Sequence, residues 1–159
     1  MNRYRFLLLF CLLALAACST ASGYAGNSST PTSISPPKGP LPDTLIVTRT
    51  SDFPQNNIPA FTPRTVQNEQ SVQQLYRAAY AQPFSPMGVY HCPADFGVVY
   101  HLQFLHQSAT VLQATLDASG CRSLSLGSTP TRQTTDAFWS LFATVAGIPA
   151  SDLHPMPQS

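Results

Sequence analysis

The side chains with the most chemistry to offer in this 159-residue chain are four cysteines, four histidines and a dense set of aromatics. Cys11 lies inside an apolar run, and Cys18 ends the small-residue sequence Leu15-Ala16-Ala17-Cys18. Cys92 and Cys121 stand far downstream. A thiol can be acylated, oxidised to a disulfide or bound to a metal. Zinc sites place cysteines in close pairs, and neither Cys92 nor Cys121 has one. His91, Asp95 and His101 fall short of a ligand set. The chain has no Gly-x-Ser-x-Gly elbow and no glycine-rich phosphate loop. Between residues 60 and 100 the carboxylates are Glu69 and Asp95. Glu69 suits the first turn of a helix and Asp95 a tight turn, rather than an acid–base pair. No catalytic, cofactor or metal residue is assigned, which makes an enzyme the weaker expectation.

At the N-terminus, Arg3 and Arg5 precede the ten apolar residues from Phe6 to Leu15. Ten residues make about 15 Å of helix, roughly half a bilayer core, so the run is too short to span one. With Leu three positions before Cys18, Ala at the next two and Ser19 after, it resembles the lipobox of bacterial lipoproteins. The resemblance implies that residues 1–17 are a signal peptide and that Cys18 receives a diacylglycerol thioether and begins the mature chain. It also implies a lipid anchor at the outer face of the cytoplasmic membrane, on the periplasmic or cell-surface side. One acyl chain anchors marginally, whereas two or three anchor stably. The residues alone leave an ordinary secretory signal open, with Cys18 a spectator, because Leu-Ala-Ala is also a small-residue cleavage site.

Loss of Arg3 and Arg5 with the signal turns a formal charge of +1 into about −1. Charges scattered singly make no footprint for nucleic acid and no basic cluster for anionic lipid. The membrane is therefore reached through the lipid. Residues 18–43 are rich in Ser, Thr and Pro, with Ile34 and Leu41 the only large aliphatics. Such a segment buries too little apolar surface to order itself and reads as a tether reaching roughly 25–30 Å.

The expected domain runs over 44–149, with a flexible tail over 150–159. Leu45-Ile46-Val47-Thr48 reads as a first strand. Asn68 reads as an N-cap, and Val72, Leu75, Tyr76 and Ala79 form one helical stripe that ends before Pro83 and Pro86. Residues 97–106 and 109–117 alternate as strands joined near Gln107-Ser108. Leu124 and Leu126 mark another strand after the turn at 117–120. A last helix carries Phe138, Leu141, Phe142 and Val145, and Gly147 and Pro149 end it. The class is α+β: an antiparallel β-meander with two flanking helices and one disulfide.

Cys92 would precede the first meander strand and Cys121 the third, at one end of the sheet. An even remainder of cysteines in an exported chain reads as the bridge Cys92–Cys121, with two free buried thiols as the other reading. The runs 90–100, 117–121 and 136–139 resemble small, exported bacterial proteins of uncharacterised function, which implies no activity. The expected function is a non-catalytic binding or interaction domain for an extracellular protein or cell-wall polymer. An exported hydrolase and an inhibitor of a secreted enzyme are the alternatives. The candidate binding surface is Phe84, Tyr90, His91 and Trp139, aromatic and polar side chains in or near a disulfide-held loop. For Trp139 the competing place is the edge of the core.

Overall fold

Period-two alternation of apolar and polar residues decides the central layer. The structure, a computed structural model, describes residues 35–53, 57–86, 88 and 91–154. Along the chain these form β1 (Thr44–Ser51), β2 (Arg64–Val66), α1 (Glu69–Ala81), β3 (Val98–His106), β4 (Ala109–Asp117), β5 (Ser123–Leu126), β6 (Arg132–Gln133), α2 (Asp136–Ala146) and α3 (Ala150–Leu153). The strands make one antiparallel sheet in the order β2-β1-β3-β4-β5-β6. Helices flank it, so the class is α+β.

The register stacks the inward residues into rows. Val47, Leu102, Ala114 and Leu126 form one, and Leu45, Phe104 and Leu112 another. All seven are buried, and Tyr76 of α1 meets Phe104 edge to face at 5.5 Å. The other sheet face presents Thr48, His101, Gln103, Gln113 and Thr115. A slip of one residue would exchange these two sets, so burial of one face pins the register.

Helix α1 begins where Asn68 Oδ1 accepts the Ser71 amide at 2.9 Å, and its buried face includes Val72, Leu75, Tyr76 and Ala79. Helix α2 is capped by the Thr135 hydroxyl and ends at Gly147, whose φ of 63° is left-handed. Its buried face differs from the expected stripe. Phe138, Trp139, Phe142 and Ala146 are buried, while Leu141 and Val145 are half-buried. The rotation follows from α2 packing between α1 and α3, which buries a wider arc than one helical stripe.

Three elements extend the expected architecture. Strands β2 and β6 add to the two sheet edges, and residues 150–154 belong to the packed domain instead of forming a tail. Leu153 is buried, the Tyr100 hydroxyl donates to the Asp152 carbonyl at 2.8 Å, and the His154 ring packs on Trp139 at 4.6 Å. At the other boundary, Leu41 packs on the core and the Asp43 amide donates to Leu105 O at 2.8 Å. The folded part therefore starts a few residues before Thr44. Cys18, the lipobox and the tether as far as residue 34 lie outside the described residues, as does Tyr90.

Candidate functional site

The first residues of β3 and β5 lie at one end of the sheet, and the two cysteines meet there. Cys92 and Cys121 form a disulfide with Cα atoms 4.8 Å apart. Hydrogen bonds reinforce the closure. Asp95 Oδ1 accepts the Gly97 amide at 2.7 Å and the Ser119 hydroxyl, while Gly120 N–H donates to Ala94 O at 3.3 Å. Asp95 thus has the turn role expected of it. Gly97 needs its left-handed φ of 68°, and a Cβ there would meet the Phe53 ring at 2.6 Å. Asp117 Oδ1 also accepts from Ser119, through its amide at 3.0 Å. Burial, with Asp95 and Asp52 nearby, pushes the Asp117 carboxyl above the usual range.

A cleft of about 330 Å³ opens beside the disulfide. Ser85, Pro86, His91 and Pro93 line one side, and Gly120, Cys121, Arg122, Ser123 and Gln133 the other. A second depression of about 300 Å³ shares Pro93, Gly120 and Arg122 and continues to Phe96, Ser119 and His154. The first cleft is lined by hydroxyls, an amide, one arginine and one histidine, with no carboxylate among its lining residues. His91 is exposed. Arg122 Nη2 reaches Asp136 Oδ1 at 2.9 Å, an ion pair open to solvent and therefore weak.

Arg122 has a left-handed φ of 48°, uncommon for a residue with a Cβ. Its carbonyl accepts the Thr134 amide at 3.2 Å and the Thr134 hydroxyl, and that hydroxyl accepts Trp139 Nε1–H at 2.8 Å. Trp139 is 2% exposed, which removes it from any contact surface. It acts behind the cleft, fixing the backbone of Arg122 through Thr134. Its neighbours Phe142 and His154 complete the burial, which one helical stripe read in isolation does not reveal.

Phe84 is half-buried, its ring centroid 4.5 Å from the Arg132 guanidinium carbon. Of the expected surface, the structure places His91 in the cleft, Phe84 at the neighbouring segment that pairs with β6, and Trp139 inside. Arg122, Ser119 and His154 were missed because isolated polar residues in turns carry no spacing signal. Arg132 is fully buried, and charged residues are ordinarily exposed, so nothing in its local sequence marks it. Among the described residues no group of three or more His, Cys, Asp or Glu is placed to hold a metal. Comparison with family models, curated proteins and solved structures finds no match for this chain.

Proposed function

We propose that this chain is a lipid-anchored, extracytoplasmic binding domain that acts by contact rather than turnover, with the cleft beside Cys92–Cys121 as its contact surface. The carrying observation is that cleft. Its walls are braced by a disulfide and by hydrogen bonds through Asp95, Ser119 and Thr134, and its lining offers Arg122, His91, Ser85, Ser123 and Gln133. Pre-braced loops lose little entropy on binding, and convergent polar groups in a concavity give orientation. The disulfide agrees with an oxidising compartment. The Leu15-Ala16-Ala17-Cys18 sequence supplies the anchor, and an extracellular protein or a cell-wall polymer is the partner within reach of a tether.

Fractionation with intact mass tests the anchor. The native product should sediment with membranes, with a mature chain beginning at acylated Cys18, and Cys18→Ser should stall or release it. Recovery of the unmodified variant firmly in the membrane would refute the lipid reading. Co-sedimentation of the detergent-extracted protein with purified cell-wall polymer, or capture of a secreted protein, tests the cleft. Arg122→Ala should weaken that contact about tenfold without moving the melting temperature by more than a degree or two, the loss of one charged contact. Turnover of a substrate that vanishes in His91→Ala would overturn the non-catalytic reading.

A further inference from the structure

Arg132 lies on the short edge strand β6 with its side chain on the helix side of the sheet, opposite the cleft just described. It pairs with Leu124, a core residue, and is 0% exposed. Nη1 is used twice, donating to Tyr80 O at 2.9 Å and Gln82 O at 2.7 Å. Those carbonyls end α1, where the helix dipole favours a cation. Nε and Nη2 are both buried and have no hydrogen-bond partner among the described residues. No salt bridge involving Arg132 is found among the described residues; the pairs present are Asp43–His106 and Arg122–Asp136.

The two unpartnered atoms are not an arbitrary pair. Nε–H and one Nη2–H point in parallel along a single edge of the guanidinium, the fork that matches both oxygens of a carboxylate or phosphate. The structural roles of Arg132 are carried by the opposite edge. A buried polar edge left free is rare in a native core, and a buried cation ordinarily faces an anion. Phe84 lies over the guanidinium, and Tyr80 flanks it with its centroid 5.8 Å away. The covering segment is fastened by Ser85 N–H to Thr131 O and Gln133 N–H to Pro83 O, both at 2.9 Å. It is a thin cover: one half-buried ring on a strand-like stretch joined by two backbone bonds.

We propose that Arg132 anchors an oxyanion site beneath Phe84, in which the Nε–H/Nη2–H fork takes two oxygens of a carboxylate or phosphate group on a small ligand. The aromatic cover selects for an anion small enough, or apolar enough behind its oxygens, to lie under a ring. Displacement of Phe84 admits it, and α1 stays fastened through Nη1 while the fork is in use.

The test follows the Arg132 ¹⁵Nε–¹H resonance of the full-length protein in detergent during titration with acetate, inorganic phosphate and chloride at constant ionic strength. Acetate or phosphate should shift the resonance saturably and raise the melting temperature, and the better of the two names the oxyanion. Chloride, a single-atom anion, should do neither. Arg132→Lys keeps a cation but lacks the fork and should bind at least tenfold more weakly. Phe84→Ala keeps the fork but opens the cover, so the resonance should respond at lower anion concentration; loss of the response in that variant overturns the site even if Arg132→Lys does not fold. An equal response to all three salts is screening and overturns the site. A resonance that no anion moves, with exchange cross-peaks to water alone, makes Arg132 a hydrated structural arginine and also overturns it.

Discussion

Arginines stand at both ends of one inward-facing row across the sheet: Arg49, Tyr100, Leu116, Leu124 and Arg132, each paired with the next. Each arginine holds backbone carbonyls of the segments packed on that face. Arg49 donates to Pro59 O and to Asp152 O, and stacks over Phe61 at 5.0 Å. Arg132 does the same for the end of α1 under Phe84. A guanidinium suits such an edge because its planar face packs on a ring while its N–H groups satisfy carbonyls that no strand reaches. The difference is exposure: Arg49 keeps contact with solvent, whereas Arg132 has none.

Asp117 supplies the pH prediction at this scale. Its carboxyl is held above the usual range chiefly by burial, so the folded state binds the proton more tightly than the unfolded state does. That contribution favours folding below the unfolded pKa and is lost as pH rises through the raised folded value. Asp117→Asn keeps an oxygen for Ser119 and removes the half-buried charge. It should melt higher than wild type at pH 7, with the gap closing toward pH 3. A gap that is constant from pH 3 to 7 would mean that the charge is not the cause. Asp43 works in the opposite sense: hydrogen bonds, first the Gln107 amide, hold its carboxyl below the usual range.

Among the elements, the long strands were legible and the short ones were not. β3 and β4 run nine residues each, long enough for alternation to declare a buried face. Asn68 and Gly147 announced helix ends by side-chain chemistry and backbone freedom. β2 and β6 have three and two residues, too few for any period, and exist because the edges of β1 and β5 have free hydrogen-bonding groups. Helix α3 was hidden for a related reason, since its four residues are held by Tyr100 and Arg49 from distant segments. The β3–β4 turn makes a further prediction. Gln107 and Ser108 have φ of 47° and 70°, left-handed at both central positions of a two-residue hairpin. Asn-Gly prefers that geometry. Replacing Gln107 by Asn and Ser108 by Gly should stabilise the fold by about 1 kcal/mol, about 4 °C in thermal melting. The Gln107 amide bond to Asp43 at 2.8 Å uses backbone and should survive. A lower melting temperature would show that the native side chains make contacts outweighing the strain.

For the whole molecule, the disulfide carries more weight than one covalent bond. It joins the loop ahead of β3 to the turn ahead of β5, closing a separation of 29 residues around the hairpin that forms the middle of the sheet. The chain-entropy model gives such a loop about 3–4 kcal/mol. The same bond frames the cleft, since Cys121 lines it and Pro93 follows Cys92. Stability and site shape are therefore coupled, and they can be separated by experiment. The double variant Cys92→Ala/Cys121→Ala should melt roughly 10–20 °C lower. The core rows of β1, β3, β4 and β5 do not depend on the bond, so circular dichroism below the transition should be unchanged. The ends of the cleft should loosen first, seen as faster amide exchange at Gly97 and Gly120, whose bonds to Asp95 and Ala94 lose their brace. Unchanged exchange at those two amides, alongside the lower melting temperature, would show that the hydrogen bonds of Asp95 to Gly97 and Ser119 hold the cleft by themselves and that the disulfide acts only on the unfolded chain.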